Sequence, residues 1–377
     1  MRDIAIIGGG ASGIYAALLI ADRNPNLKIT IFENEQKLGK KLCATGNGHC
    51  NLLNKDYSPA NFNHTILVEN AMSRFSFDDL RNVFSSWGIP LIDRDGLFYP
   101  ANYHAPSFVN YLSALLEKHG VEVRLGVSVE DYSRSGDGYL LKTNKGEFSF
   151  RKIIIATGGK STPKLGSDGS MFDVLRRHGY EISELQSGLA PIRVKEKLPK
   201  ALDGERHAAK VRVFVNDICY YEESGEILFK KDGLSGIVMF NVNSFILRNG
   251  FGEEAKIRLD LFPGEDVSAY LRGDKEQCLL TEPLYEEVAA QGKKNGVPTD
   301  IAVHELEYTF KASYGFENSQ VTIGGLIDSD VSLNLESKRE PHVFFTGECL
   351  NVDGFCGGFN LTWALLSALL VAEQITR

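Results

Sequence analysis

Apolar positions along the chain change rhythm several times. An apolar run at residues 4–7 has strand length, and Ile14, Ala17, Leu18 and Ala21 then recur at the spacing of one helix face. KITIFEN, residues 28–34, predicts a second strand, and VEVRLGVSVEDY, residues 121–132, predicts another. Residues 138–159 predict a β-meander with a turn at 144–146, returning through an apolar strand at 153–156. HVFFTGE, residues 342–348, predicts a late strand, and residues 361–371 read as a buried helix. The middle differs. β-Branched and aromatic runs separated by turns fill 188–240, and helical spacing dominates 244–295.

This segregation predicts an α/β fold: a Rossmann-like domain with a β-meander, an inserted β-rich domain and a helical subdomain. The expected boundaries are 1–187 and 320–377 for the first, 188–243 and 304–319 for the second, and 244–303 for the third.

The 377 residues are 43% hydrophobic and 24% charged, as in ordinary globular proteins. A net charge of −8 disfavours a broad grip on nucleic acid. Lys195, Lys197, Lys200, Arg206, Lys210 and Arg212 form a basic cluster, read as a solvated face. No charged leader with a cleavage site opens the chain, and no membrane span is expected, so the expected location is cytoplasmic. Cys43, Cys50, Cys219, Cys278, Cys349 and Cys356 are expected as free thiols.

Gly8, Gly10 and Gly13 form G-x-G-x-x-G between the first strand and helix. There, glycines permit a tight turn, close approach to a pyrophosphate and tight helix packing. Glu33 ends the second strand, twenty positions after Gly13, where a carboxylate partners an adenosine ribose. The pattern indicates a dinucleotide and leaves NAD and FAD open. Residues 40–51, KKLCATGNGHCN, hold two cysteines and a histidine. Their spacing does not match a zinc knuckle or ribbon, so no metal is expected.

The ordered set AIIGGGASG, KLGKKLCATGNGHCN, ATGGKSTPKLGSDG, GEILFKKDGLSG, QVTIGGL and TGECLNVDGFCGGFNLTWA resembles a family of bacterial three-domain flavoproteins. That family includes aminoacetone oxidase, bile-acid-reductase-like proteins and ribosomal RNA dihydrouridine synthase. The resemblance runs almost from end to end and implies one noncovalent FAD. It implies cofactor contacts from Gly8, Gly10, Ala11, Ser12, Gly13, Glu33 and Lys40. It further implies them from Thr45, Gly46, Asn47, Gly48, Val129, Thr157, Gly158 and Gly159. The last group is Gly347, Glu348, Gly357, Gly358, Phe359, Asn360 and Leu361, with Asn360 as the expected cap of the last helix. The chain departs from the family at residues 230–237, KKDGLSGI, where many relatives carry Thr-His and a later proline, and at Asn351, a commonly acidic position.

The expected activity is oxidation of a small primary amine such as aminoacetone, with oxygen as acceptor and hydrogen peroxide as product. A second expectation is an NAD(P)H-dependent reductase of ribosomal RNA uridine or another unsaturated substrate. A third is a flavin-binding interaction protein without turnover. The reacting centre is flavin N5, and no catalytic side chain stands out. Tyr99, His104 and Lys160 are the substrate-site candidates, with Phe98 and Tyr103 beside them.

Overall fold

The computed structural model describes residues 2–63, 66–271 and 279–377. It divides into two compact units, Met1–Gln186 with Val321–Arg377, and Ser187–Gln320. Cys278 and residues 272–277 of the expected helical stretch lie outside the described residues.

The first unit is built on a seven-stranded sheet. Its parallel part runs Glu122–Leu125, Ile29–Glu33, Arg2–Ile7, Gly146–Ile155 and Val343–Phe345. The register places Ile7 beside both Phe32 and Ile155, and Phe345 beside Ile155. Ile29–Glu33, Val343–Phe345 and residues 4–7 and 153–155 are buried on both faces, which is why they read as apolar runs. The strand Gly146–Ile155 also pairs antiparallel with Gly138–Thr143, which pairs in turn with Val129–Ser135. Together these form the meander. The expected strand across 121–132 is two strands, because Gly126 takes a left-handed backbone (φ 64°) and sends the chain from the parallel edge to the meander.

Helix Ala11–Arg23 and helix Phe359–Thr376 share the core of this unit. The latter is long and apolar enough to cross a membrane by length and composition. Here Trp363, Leu365, Leu366, Leu370 and Val371 are buried inside the unit.

Helix Ala11–Arg23 lies tight on the sheet through Gly13. A Cβ at Gly13 would stand 2.1 Å from the carbonyl oxygen of Gly8, a backbone atom that has no rotamer with which to move aside.

The second unit is a closed barrel. Its strands run in the order Ile192–Val194, Gly233–Ser235, Ile218–Lys230, Arg206–Val215, Lys256–Asp260 and Leu306–Ser313, which returns to the first. Asn216 and Asp217 both take positive φ (51° and 62°), the conformation a two-residue hairpin needs. The expected helical subdomain 244–303 therefore requires correction. It contains the barrel strand Lys256–Asp260, whose buried Ile257 and Leu259 alternate with more exposed residues. Helices Ile237–Arg248 and Glu282–Asn295 share one apolar core with the barrel instead of forming a core of their own.

Gly13→Ala should destabilise the fold by about 1–3 kcal/mol through overpacking. Thermal unfolding of the purified variant measures this; an unchanged midpoint would contradict the contact.

Candidate functional site

Three loops leave the carboxyl ends of adjacent parallel strands, the usual place for a ligand on such a sheet. They are residues 8–10, 156–161 and 346–348. Thr346 N–H donates to Ile155 O at 3.0 Å, and Ser12 Oγ donates to Thr346 O at 3.4 Å. Gly10 caps helix Ala11–Arg23 without a side-chain hydrogen bond, and a Cβ on it would meet nothing within 4 Å. The helix thus presents its first amides and partial positive charge beside open space.

Glu33 is buried at the end of its strand. Its Oε2 accepts from Gly9 N–H at 2.7 Å, and its Oε1 accepts from Glu35 N–H at 2.8 Å. Burial raises its pKa, and these two amides oppose the rise only in part. Each oxygen keeps lone-pair capacity for another donor.

Glu348 ties the loops together. Its Oε2 pairs with Lys41 Nζ at 2.9 Å, and its Oε1 accepts from Thr322 N–H at 2.7 Å and Ser161 Oγ at 3.0 Å. Lys41 also donates to Ser161 Oγ, while Thr322 Oγ1 accepts the amides of Lys160 (2.7 Å) and Ser161 (3.0 Å). Burial pushes the Glu348 carboxyl up. The Lys41 charge and the donated hydrogen bonds outweigh that push and hold it below the ordinary carboxylate value.

The TGNG loop is a short, tight turn with left-handed Gly46 and Asn47. It returns through His49 to Asn51. Asn54 Nδ2 donates to Gly357 O at 2.8 Å, and the α-carbon of Gly358 faces Asn51 Oδ1 so closely that a Cβ would lie 2.8 Å from it. The TGNG and CGG stretches are thereby brought to one place. Cys43 and Cys50 are free cysteines, as are Cys219, Cys349 and Cys356. Burial pushes Cys50 and Cys349 up to about 12, so neither carries an appreciable thiolate near neutral pH.

Several expected site residues are occupied otherwise. Asn360 does not cap the last helix. Gly358 does, and the Asn360 side chain bridges Gly354 N–H (2.9 Å) and Gly354 O (3.0 Å). Lys40 pairs with Glu35 at 3.0 Å and donates to Lys164 O. His104 is exposed and caps helix Ala105–Lys118, accepting Ser107 N–H at 3.2 Å. The Lys160 stem lies over Gly169. Val129 packs at the start of its meander strand, and Thr157, Gly158, Phe359 and Leu361 lie on the loops or helix end that the motifs indicated. Sequence reasoning missed Lys41, Ser161, Thr322 and Asn51. Thr322 did lie within the quoted QVTIGGL stretch, and Lys41 is distinguished from Lys40 only by its phase on helix Lys40–Ala44.

The fit to FAD can be tested on this geometry. Among buried side-chain atoms, Asn51 Oδ1 and Thr346 Oγ1 have no hydrogen-bond partner within the described protein. Such atoms carry a free-energy penalty unless a ligand or water satisfies them. Together with the open helix terminus at Gly10 and the Glu33 carboxylate, they suit a large polar dinucleotide.

The family model of the HI0933-like protein Rossmann domain matches residues 2–374. The chain belongs to the HI0933-like family. It is an FAD-dependent oxidoreductase of that family. This HI0933-like chain is 30% identical to a 3-dehydro-bile acid delta(4,6)-reductase of Clostridium scindens, over 99% of this chain and 98% of the relative. It is 26% identical to a ribosomal RNA dihydrouridine synthase of Haemophilus influenzae, with the same shares covered. A solved 3-ketosteroid delta1-dehydrogenase from Sterolibacterium denitrificans shares the fold, with a TM-score of 0.54, 12% identity and 99% of each chain covered.

The Glu348 network gives a pH prediction. A carboxylate with a depressed pKa stabilises the fold above its unfolded pKa, and that stability is lost as pH falls through the folded value. Lys41→Met should destabilise the neutral protein by about 1–3 kcal/mol and flatten the loss of stability on acidification, because the folded carboxyl then takes up its proton closer to the pH at which the unfolded chain does. Melting temperature against pH for both proteins measures it, and superimposable profiles would refute the assignment.

Proposed function

We propose that this protein is an NAD(P)H-dependent flavin reductase that saturates a carbon–carbon double bond conjugated to a carbonyl in a small molecule. The observation that carries this reading is the end-to-end similarity to relatives named as reductases of such bonds. One is named for a delta(4,6) reduction, and making dihydrouridine likewise saturates a ring double bond. These relatives support the reductase expectation over the amine oxidase. The balanced reaction consumes NAD(P)H and one proton. Hydride ends on the β-carbon of the conjugated system, the proton on the α-carbon, and NAD(P)⁺ is released.

A small substrate suits the second unit's surface better than RNA. Four of the six residues in the basic cluster are paired with carboxylates. Lys195 meets Glu253 (2.8 Å), Lys210 meets Glu222 (2.9 Å), Arg212 meets Glu305 (2.9 Å), and Arg206 meets Glu226. Charges neutralised in this way contribute little to a phosphate-binding face.

Bound noncovalently, FAD supplies hydride transfer. The chain's residues bind and orient it. Helix Ala11–Arg23 offers amides to the pyrophosphate, Glu33 accepts from the ribose, and Asn51 and Thr346 offer their unspent oxygens.

Glu33→Ala should weaken FAD binding by about 1.5–3 kcal/mol, measured as flavin released on dilution from a still-folded protein. Wild-type retention would remove Glu33 from the ribose role. Anaerobic mixing tests the reaction itself. NADPH should bleach the oxidised flavin absorbance, and a conjugated enone should restore it, yielding a product two hydrogens heavier. Reduction by aminoacetone with no response to NADPH would overturn the reductase reading.

A further inference from the structure

Beside the TGNG and CGG stretches stands a column of planar groups that the reaction above does not use. The His49 ring lies nearly parallel to Tyr103, with centroids 3.9 Å apart and 14° between planes. The guanidinium carbon of Arg94 lies 4.1 Å from the centroid of the same ring. Two planar groups this close to one centroid must occupy opposite faces, so Tyr103 is the middle layer of a sandwich. Tyr99 meets Tyr103 edge-on at 4.9 Å and lies within electrostatic range of Cys356.

The column is held firmly. Tyr103 takes a left-handed backbone (φ 51°), unusual for an aromatic residue, and its carbonyl is bonded to His49 Nδ1 at 3.0 Å. Strain of this kind persists where the surroundings over-determine it, often at ligand sites. Arg94 is exposed, and among the described residues no carboxylate or hydrogen-bond acceptor engages its guanidinium. The adjacent Asp93 instead accepts Gly96 N–H at 2.7 Å. The result is a cation fixed in position by stacking, with its fork of N–H donors unspent. Such a fork matches the two oxygens of a phosphate or carboxylate.

We propose that Arg94, stacked on Tyr103, anchors a forked oxyanion carried by one of the two reactants, the phosphate of the nicotinamide donor or a carboxylate on the conjugated substrate. Assigning the anion to a reactant rests on the reductase reading. The anion site itself does not.

The test uses the FAD-loaded full chain as wild type, Arg94→Met and Arg94→Lys, with equal flavin content and melting temperature checked first. Calorimetric titration with inorganic pyrophosphate probes the site without turnover. The wild type should bind it, Arg94→Met should lose roughly 10- to 100-fold in affinity, and Arg94→Lys should recover part of the loss. Equal affinity in all three proteins, or no binding by the wild type, overturns the site.

Two kinetic arms then identify the source of the anion. One mixes oxidised enzyme anaerobically with NADPH. The other mixes dithionite-reduced enzyme with an enone carboxylic acid and with its methyl ester. A raised half-saturation for NADPH in Arg94→Met, at unchanged limiting rate, assigns the anchor to the donor. The same rise for the acid but not the ester assigns it to the substrate. No rise in either arm overturns the reactant assignment. Failure of NADPH to reduce wild-type flavin counts against the reductase reading alone, because the calorimetry still decides the site.

Discussion

The carboxylate of Glu348 is the point on which the first unit's ligand loops depend. It follows one parallel strand, accepts from a loop that follows another, and is neutralised by Lys41 from a helix beyond the second strand. Loops carry few apolar contacts with which to order themselves. A partly buried charge supplies a strong alternative, because leaving it unpaired is far more unfavourable than closing the network. The depressed pKa of Glu348 reflects that balance: its donors outweigh its desolvation.

Around this hub, the ligand-facing groups divide by chemistry. The amide-rich helix end at Gly10 and the acid at Glu33 suit the two ends of an adenosine diphosphate. The unspent oxygens of Asn51 and Thr346 suit N–H and O–H donors elsewhere on the cofactor. The thiols do not contribute nucleophiles at the most buried positions, since desolvation keeps Cys50 and Cys349 protonated. The histidine and cysteines of residues 40–51 therefore act through packing and stacking, with His49 against Tyr103 and Cys50 in the core.

The second unit illustrates how local charge misleads. Its strands Arg206–Val215, Ile218–Lys230 and Lys256–Asp260 place basic residues on the barrel surface, where cross-strand carboxylates meet them. Lys210 stands next to the partner strand's Glu222, and Arg258 meets Glu307 at 2.8 Å. A run that reads as basic along the chain is close to neutral across the sheet, since strands put unlike segments side by side.

The sequence by itself determined the elements whose signal is local. The first strand and helix, the second strand with Glu33, the meander and the buried last helix all follow from periodicity and turn chemistry. The G-x-G-x-x-G spacing likewise placed the tight turn between the first strand and helix. Tertiary structure decided what depends on partners distant in the chain. Residues 256–260 lie within a stretch where helical spacing dominates, and become a strand because barrel closure supplies hydrogen-bond partners on both edges. Asn360 looks like a cap, but Gly358 alone tolerates the left-handed turn there, and the amide side chain is drawn back to Gly354. Lys40 and Lys41 are equivalent in the sequence. Their different phase on one short helix sends the first to Glu35 and the second to Glu348. The stack of His49, Tyr103 and Arg94 has no sequence signature at all, because its members come from three separate segments and meet only after the chain has folded.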